Sequence, residues 1–512
     1  MNKTKELTIQ LVGLQTNQFI MNIEHERSGF RMFIEWGPNR SSAQSLHQQI
    51  VDWIKQQITR GEWPVGTKLP SQRSLADSFG VNRSTIITAI DELIADGLLE
   101  TKLGSGTFVS NNTWNVLVSS KQPDWKNYVR NGLHEPNLKT IQDINQYETD
   151  TAIIRLGTGE LSPALLPTKQ IEKTLRSTSF DAHSLGYSEP KGDKRLRQCI
   201  SVYLETKGIN ASPSSLMVVS GGLQALQLIS VGLLQKGSMI LHESPSYLNS
   251  VHPFQSAGMH LVGLSKQGRE SIPTQMKRIN GRKKASLFYT VPTFNNPTNT
   301  TWSKEERLNL LSLCKKEQIP IIEDDVYSDL WFDKEPPPPL KSLDADGLVL
   351  HIGSMSKTLS PGLRIGWIAG PITVIERLAD IKMQMDYGSS ALSQHLVAEW
   401  LATGQYSKHL EWLRQELMER RDFTLTLLNQ YFKGLAEWQI PQGGFYIWLK
   451  LCKPIVNPNL FKQAIKENIL LNPGYIYEPN NHTHIRLSYS YASEEQLAYG
   501  IQTLSKIIRR LV

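Results

Sequence analysis

Seven short segments of the sequence hold residues that could do chemistry together. In chain order they are GYSEPKG, SGGLQAL, ESPSY, FNNPTN, EDDVYSDL, GSMSKTLSPGLRIGW and HIRLSYS. A lysine such as Lys357 becomes a nucleophile toward carbonyl groups when it is desolvated beside cations, because its amine is then neutral more often. An arginine such as Arg486 can hold a carboxylate by two parallel hydrogen bonds. Taken singly, however, Arg486 could be a surface ion-pair partner, Tyr247 a core aromatic and Asp324 part of an acidic helix start.

In this combination and order, the segments resemble the cofactor site of fold type I aminotransferases, and the resemblance covers essentially the whole of residues 124–512. It implies that the cofactor is pyridoxal 5'-phosphate. It also implies that Lys357 is the catalytic residue, which forms a Schiff base with that cofactor.

The same resemblance assigns four side chains to the cofactor ring. Asp324 would pair with the pyridine nitrogen and keep it protonated, which makes the ring an electron sink. Tyr327 and Asn296 would form hydrogen bonds with the ring hydroxyl, and Tyr247 would stack on the ring face.

The phosphate of the cofactor needs fixed hydrogen-bond donors, and the resemblance supplies a set of them. They are the backbone amides at Gly222 and Leu223, the hydroxyls of Ser354 and Ser356, and the guanidinium of Arg364. Family members often carry a glutamine where Leu223 stands. Because the contact at this position is partly made by the backbone, we expect cofactor binding to survive the difference.

Two further residues match family positions that serve the partner subunit and the amino compound. Tyr187, in GYSEPKG, matches a tyrosine that reaches the phosphate from the partner subunit, which implies a homodimer. Arg486 matches the arginine that holds the carboxylate of an amino acid.

Near the amino terminus, LPSQRSLADSFGVNRSTI followed by GSGTFV resembles the winged-helix domain of GntR-type regulators, across roughly residues 40–110. The resemblance implies that Arg73 and Arg83 contact double-stranded DNA and that Ser84 and Thr85 assist. An arginine at the start of a helix in the major groove can present its fork to guanine. The alternative is a solvated helical hairpin used for protein contacts.

The charge of this region is not basic overall. Residues 41–112 hold six Lys and Arg residues against seven Asp and Glu residues. DNA affinity would therefore depend on the local placement of Arg73, Arg83, Lys68 and Lys102, with dimerisation adding to it. Gly106 would let the tip of the wing approach the DNA backbone. Ile87 stands where several family members have a basic residue, so one contact is absent or apolar.

The elements that must position these residues follow from periodicity and turn chemistry. Apolar residues recur every four positions from Leu46 to Ile58, which predicts one buried stripe on a first helix. Ser71 and Asn82 stand where the N-caps of a second and third helix belong. The segment LLETKLGSGTFVS predicts a two-stranded wing with a glycine tip.

In the longer domain, short apolar runs such as LMVV, SMIL, ASLFYTV, IPIIED and LVLHIG alternate with amphipathic helical stretches. This alternation predicts an α/β fold with a mostly parallel sheet. The resemblance to fold type I aminotransferases implies in addition a small C-terminal α/β subdomain.

Composition places the chain among globular proteins with more than one domain. The 512 residues are 39% hydrophobic and 20% charged, and the formal net charge is +7. The three cysteines have neither paired nor zinc-ligand spacing, so neither a disulfide framework nor a metal site is expected. No apolar run approaches the length needed to span a membrane, and we expect a cytoplasmic protein with no membrane partner.

The expected organisation has four parts. Residues 1–31 form a flexible N-terminal extension, 32–110 the winged helix-turn-helix domain, 111–123 a linker and 124–512 the aminotransferase-like domain.

This architecture resembles the MocR subgroup of GntR-type regulators. It implies a transcriptional regulator that binds operator DNA and pyridoxal phosphate and senses an amino acid, an amine or a B6 vitamer. An active aminotransferase that carries a DNA-binding domain is the alternative, since every chemical residue is present. A third possibility is a scaffold that binds partner proteins without the cofactor.

Overall fold

The computed structural model describes residues 36–42, 44–59, 62–102, 104–110, 137–177, 186–266, 270–281 and 284–512. By its internal contacts the chain divides into two compact units, Met1–Gly132 and Leu133–Val512. The expected extension at 1–31 and the expected linker at 111–123 lie outside the described residues. The domain boundaries at 31, 110 and 123 therefore stay predictions.

The described part of the N-terminal unit contains three helices followed by a hairpin. Its elements are α1 (Leu46–Thr59), α2 (Gln72–Phe79), α3 (Arg83–Ala95), β1 (Leu99–Lys102) and β2 (Gly106–Val109). The two strands are antiparallel, with Leu99 opposite Val109 and Lys102 opposite Gly106. The order helix, helix-turn-helix and wing is the one predicted from the sequence.

Burial explains why these helices form where they do. Ile50, Ile54 and Ile58 of α1 are each less than a tenth exposed, and they pack in one core with Leu75 of α2 and Leu93 of α3. A stripe that recurs every four residues lies on one face of a helix, so burying it against neighbouring helices stabilises all of them.

The two predicted N-caps differ. The Ser71 hydroxyl accepts a hydrogen bond from the Ser74 amide at 3.2 Å, as expected for a cap of α2. Asn82 occupies the N-cap position of α3, but its side chain makes no capping hydrogen bond. The predicted N-cap position of Asn82 is therefore confirmed, but its side chain does not cap the helix; its carbonyl accepts from the Thr85 amide at 3.0 Å.

The C-terminal unit alternates strands and helices through most of its length. Its helices are α4 (Lys139–Tyr147), α5 (Thr168–Ser177), α6 (Lys194–Glu205), α7 (Gly222–Leu233), α8 (Ile272–Asn280), α9 (Lys304–Glu317), α10 (Leu340–Leu343), α11 (Ile372–Met385), α12 (Ala391–Ala402), α13 (Gln405–Tyr431), α14 (Pro458–Lys466) and α15 (Glu494–Leu511). Its strands are β3 (Ile154–Arg155), β4 (Leu216–Val219), β5 (Met239–Ser244), β6 (His260–Ser265), β7 (Leu287–Thr290), β8 (Ile321–Asp324), β9 (Val349–Ser354), β10 (Gly366–Ala369), β11 (Ala436–Glu437), β12 (Tyr446–Leu451), β13 (Ile469–Leu470), β14 (Asn472–Pro473) and β15 (His484–Ser488).

The main sheet has seven strands in the order β4, β10, β9, β8, β7, β5 and β6. Strand β10 is antiparallel to both of its neighbours, and all the other pairs are parallel. The prediction of a mostly parallel α/β sheet is thus confirmed. Parallel strands end at the same edge, so the residues that follow β8 and β9 are brought together there.

A smaller antiparallel sheet follows, in the strand order β11, β12, β15 and β14. Helices α14 and α15 lie in the same C-terminal part of the sequence as these strands. A separate parallel pair joins β13 to β3. This is the small C-terminal α/β subdomain that the sequence predicts, and β15 is the strand that carries Arg486.

Candidate cofactor and DNA-binding sites

Asp324 lies at the carboxyl end of β8 and is 6% exposed. The hydroxyl of Tyr289, on the adjacent strand β7, donates to Oδ2 of Asp324 at 2.7 Å, and Oδ1 of the same carboxyl is buried with no hydrogen-bond partner. Burial raises the pKa of Asp324 to about 6, and the neighbouring charge of Asp325 adds to the rise. One oxygen of this carboxyl can therefore accept a further donor.

The two acids beside Asp324 have partners of their own. Glu323 accepts from the backbone amides of Leu340 and Lys341 at 2.6 and 2.9 Å. Asp325 accepts from the Ser328 hydroxyl at 2.7 Å. Glu323 and Asp325 thus have hydrogen-bond donors of their own, while the charge of Asp325 still raises the pKa of Asp324.

Lys357 lies in the turn that follows β9 and is half-buried. Its Nζ donates to the carbonyl of Gly159 at 2.7 Å, and its charge lowers the pKa of Asp324, which indicates that the two groups are close. In the same turn the Ser356 amide donates to Oγ of Ser354 at 3.1 Å. The Ser356 hydroxyl is buried with no hydrogen-bond partner.

Arg364 joins this turn to the start of helix α7. Its Nη2 donates to the Ser220 carbonyl at 2.6 Å. Gly221 precedes the helix at a φ of 93°, and a Cβ on this residue would lie 2.7 Å from Nη2 of Arg364, so glycine is required for both reasons. Gly222 and Leu223 open α7, where the first amides lack partners within the helix. The Leu223 side chain is 37% exposed.

Arg486 lies on β15 and is 5% exposed. Its Nη1 donates to Oδ1 of Asn296 at 2.7 Å and its Nη2 donates to the Gly157 carbonyl at 2.6 Å. Its Nε is buried with no hydrogen-bond partner. The guanidinium also lies over the ring of Tyr446, 4.2 Å from the ring centroid. A buried cation held this way is not a surface ion-pair partner.

Two tyrosines complete the arrangement. The Tyr327 hydroxyl lies 2.9 Å from the Tyr446 hydroxyl. Burial raises the pKa of Tyr247 to about 12, the charge of Asp324 adds to the rise, and the charges of Arg486 and Arg364 oppose it. Tyr247 therefore lies within the field of the carboxyl and of both arginines.

Tyr187 differs from the other predicted residues. It is 85% exposed, and its ring lies 5.4 Å from the ring of Tyr387. Within the described parts of the chain, no hydrogen bond or ring contact joins Tyr187 to the other residues assigned to the cofactor. The other residues assigned to the cofactor lie together in the structure, whereas the Tyr187 side chain is exposed to solvent.

Sequence reasoning missed three contributions to this arrangement. Tyr289 donates to Asp324, Tyr446 contacts both Tyr327 and Arg486, and the carbonyls of Gly157 and Gly159 hold Arg486 and Lys357. Parallel pairing of β7 with β8 could have suggested a neighbour for Asp324. No signal in the sequence marks the two carbonyls.

In the N-terminal unit, six of the residues predicted to contact DNA are exposed: Lys68, Arg73, Arg83, Ser84, Lys102 and Gly106. Thr85 is half-buried. Arg83 is the first residue of α3 and Arg73 the second of α2, and neither has an ion pair with any described residue.

The wing holds its basic residues differently. Lys102 lies 3.1 Å from a carboxylate oxygen of Glu100 and over the ring of Phe108. Gly106 has a φ of 111°, and a Cβ on it would lie 3.1 Å from Cε of Lys68. Among the described residues of this unit, Arg73 and Arg83 are thus exposed cations without an ion pair, whereas Lys102 is paired with Glu100.

Metal sites and membrane spans are both missing from the described residues. Among them, no three His, Cys, Asp or Glu side chains are grouped so that they could hold a metal ion. The part of the chain that the structure describes has no helix that is long and apolar enough to cross a membrane.

Comparison with known proteins assigns a family to each unit. Residues 151–504 match the model of aminotransferase class I and II, and residues 46–109 match that of bacterial regulatory proteins, gntR family. Among solved structures, LysN, the alpha-aminoadipate aminotransferase of Thermus thermophilus, complexed with N-(5'-phosphopyridoxyl)-L-leucine, is 26% identical, with a TM-score of 0.69. The match covers 76% of this chain and 99% of LysN.

Relatives that match both units are named as regulators. The HTH-type transcriptional regulator YisV of Bacillus subtilis (strain 168) is 52% identical over 93% of this chain and 99% of YisV. The HTH-type transcriptional regulator NorG of Staphylococcus aureus (strain USA300) is 38% identical over 87% of this chain and 100% of NorG. The chain therefore belongs to the GntR family of transcriptional regulators, in the MocR-type arrangement of a GntR helix-turn-helix followed by a class I and II aminotransferase domain.

Proposed function

We propose that this regulator binds pyridoxal 5'-phosphate at Lys357 and responds to an amino acid, an amine or a B6 vitamer. In this proposal the winged helix binds operator DNA as part of a homodimer in the cytoplasm. The aminotransferase-like domain is the sensor.

The observation that carries the proposal is a set of buried polar atoms with unused hydrogen-bonding capacity. Oδ1 of Asp324, Oγ of Ser356 and Nε of Arg486 are all buried with no hydrogen-bond partner. Such atoms cost free energy unless a ligand or water satisfies them. The Asp324 carboxyl could accept from a pyridinium nitrogen, and the Ser356 hydroxyl could donate to a phosphate. The Arg486 guanidinium could donate to the carboxylate of an amino compound bound with the cofactor.

The other residues assigned to the site also suit pyridoxal phosphate. Gly222 and Leu223 would offer backbone amides to the phosphate at the start of α7, with Ser354 and Arg364 beside them. Tyr247 would lie on the ring face. Because Oδ1 of Asn296 already accepts from Arg486, only its Nδ2 could serve the ring hydroxyl, together with Tyr327.

When bound, the cofactor supplies an electron-accepting ring and an aldehyde carbon that amines attack. The protein's part is to hold Asp324 ionised against the ring nitrogen, to keep the amine of Lys357 near the Gly159 carbonyl, and to hold an effector carboxylate on Arg486. Tyr187 would reach the phosphate of the partner subunit.

Regulation follows if the effector has different affinities for two arrangements of the dimer that also differ in DNA affinity. The coupling is then reciprocal, so operator DNA must change effector affinity by the same factor.

Turnover as an aminotransferase is the second candidate, and the complete set of Lys357, Asp324 and Arg486 favours it. A sensor should bind its amine yet complete few transamination cycles. Multiple turnovers to a keto acid by protein that binds no upstream DNA would support the enzyme instead.

The test of the cofactor assignment is Lys357→Ala. We expect the variant to lose the visible absorption of bound pyridoxal phosphate after dialysis, because no other residue of the site offers an amine. Lys304→Ala, an exposed lysine on α9, is the matched control and should keep the absorption. An unchanged spectrum in Lys357→Ala would contradict the assignment.

The test of the DNA assignment is Arg83→Ala. We expect specific operator binding to weaken by about 1–3 kcal/mol for each lost base contact, with cofactor absorption unchanged. A gel shift on the chain's own upstream DNA measures it, with nonspecific DNA as the comparison. Equal loss on both DNAs would mean that Arg83 contacts only phosphates.

A further inference from the structure

A cavity of about 1200 Å³ lies in the C-terminal unit, and none of the residues assigned to the cofactor lines it. Its walls are the carboxyl end of α6, the extended run Pro336–Pro339, and the junction of α12 with α13. Ser328, Asp329 and Trp331 lie between these walls. We call this cavity the proline groove.

The walls of the proline groove offer acceptors more than donors. The four prolines have no N–H groups. Helix α6 ends at the groove, and the carboxyl end of a helix is the negative end of its dipole. Glu335 and Glu411 both line the groove and are exposed, and neither has an ion-pair partner among the described residues.

Of the two cations that line the groove, Lys207 is paired with a carboxylate, and Arg414 is held by neutral groups. Nζ of Lys207 lies 2.8 Å from Asp329 and donates to the Ser328 hydroxyl at 2.7 Å. Arg414 lies over the ring of Trp331, 4.0 Å from its centroid, and donates through Nε to the Asp329 carbonyl at 2.7 Å. With Lys207 paired to Asp329, the carboxylates of Glu335 and Glu411 outweigh the single charge of Arg414, so the lining carries one net negative charge and is complementary to a cation.

The same walls also carry apolar surface. Val202 of α6 is 62% exposed, and Leu343 and Leu401 line the groove with the proline rings. A ligand that fits both properties has an apolar body and a positive charge.

The floor of the groove connects to Lys357 through hydrogen bonds. The Tyr406 hydroxyl lies 3.0 Å from Oδ2 of Asp329 and 2.8 Å from Oγ1 of Thr358, the residue after Lys357. A phenol has one proton, so when it donates to the carboxylate it must accept from Thr358. His409 also holds the Thr358 carbonyl, at 2.9 Å. A ligand that moves Tyr406 must therefore disturb the turn that bears Lys357.

We propose that the proline groove binds an organic cation with an apolar body, and that Tyr406 and Thr358 transmit its occupancy to the turn of Lys357. This site is additional to the proposed effector site at Arg486, and it does not require the cofactor to be bound.

Benzyltrimethylammonium is a suitable probe, because a quaternary ammonium has no N–H and cannot condense with an aldehyde. Calorimetric titration into the full chain should show binding, and Glu335→Gln with Glu411→Gln should weaken it by about tenfold, as expected for two exposed charges near the ligand. The control pair Glu305→Gln with Glu467→Gln removes two exposed carboxylates outside the groove and should bind as the unmodified chain does. No binding, or equal binding by all three proteins, would overturn the site.

Hydrogen–deuterium exchange tests the connection. Saturating probe should change exchange in the peptide of residues 354–364 of the unmodified chain, and should not do so in Tyr406→Phe, which still binds. If Tyr406→Phe does not fold, Thr358→Val removes the same bond from the other side. Binding without any change in that peptide of the unmodified chain would overturn the connection to Lys357.

Discussion

At the scale of the residue, Asp324 illustrates how a site for a cationic group destabilises the protein that carries it. Its carboxyl has one donor, Tyr289, and one buried oxygen without a partner. Burial therefore disfavours the ionised form, and the pKa of Asp324 rises to about 6.

This rise predicts a pH-dependent stability of the cofactor-free protein. The folded pKa exceeds the unfolded value of about 3.9, so the folded state binds the proton more tightly, and stability falls as pH rises from about 3.9 through about 6. Asp324→Asn cannot ionise and should escape this loss. We expect it to be more stable than the unmodified chain at pH 8, by about 2–3 kcal/mol, with the gap closing toward pH 4.

Chemical denaturation of cofactor-free protein at several pH values measures this gap. Asp346→Asn, at an exposed carboxyl, is the control and should show no comparable gap. A constant difference between Asp324→Asn and the unmodified chain at every pH would contradict the explanation.

At the scale of the element, the helix-turn-helix contains two N-cap positions that the sequence makes look alike. Ser71 bonds the Ser74 amide, whereas the Asn82 side chain bonds no amide of α3. A cap stabilises a helix by satisfying an amide that the helix leaves without a partner.

The two caps should therefore respond differently to alanine. Ser71→Ala should destabilise α2 by about 1 kcal/mol, while Asn82→Ala should cost α3 distinctly less. Hydrogen exchange of the amides in Gln72–Phe79 and Arg83–Ala95 measures each helix within the full chain. Equal acceleration in both helices would show that Asn82 caps α3 in solution.

The core of the N-terminal unit shows that a buried helix face can be predicted from sequence more reliably than the conformation of one capping side chain. The four-residue spacing predicted the buried stripe of Ile50, Ile54 and Ile58 because a helix places such positions on one face whatever surrounds it. The side-chain conformation of Asn82 has no such periodic constraint, since it depends on the backbone around the turn.

At the scale of the whole molecule, Tyr187 bears on whether the cofactor site is complete within one subunit or requires a homodimer. A phenol that is 85% exposed contributes nothing to the arrangement around Lys357 in its own chain. The proposal that it serves the partner's phosphate makes the site complete only in a homodimer.

Mixing two defective variants tests this proposal. Tyr187→Ala and Lys357→Ala should each retain little cofactor. If the subunits are unfolded together and refolded as an equal mixture, half of the dimers are mixed, and each mixed dimer has one intact site. Cofactor retention should then return to about one quarter of all sites.

Visible absorption of the dialysed mixture measures this recovery. The two variants refolded separately and then combined are the control and should show no recovery. The same absence in the co-refolded mixture would mean that Tyr187 acts within its own subunit, and full retention by Tyr187→Ala alone would mean that Tyr187 does not act on the cofactor.

The two families, the mostly parallel sheet and most of the residues around Lys357 could be predicted from the sequence alone. It could do so because glycines before a helix, a lysine in a serine-rich turn and an arginine in a strand occur in one order along the chain. Hydrophobic periodicity then predicted the elements, because it is local.

Which of these groups have hydrogen-bond partners depends on the three-dimensional packing and could not be predicted from the sequence. The Tyr289 hydroxyl, the Gly157 and Gly159 carbonyls and the Tyr446 ring come from strands and loops distant in sequence, and packing alone brings them to Asp324, Arg486 and Lys357. The proline groove is likewise a tertiary feature. Its walls come from three separate parts of the chain, and no local pattern encodes the space between them.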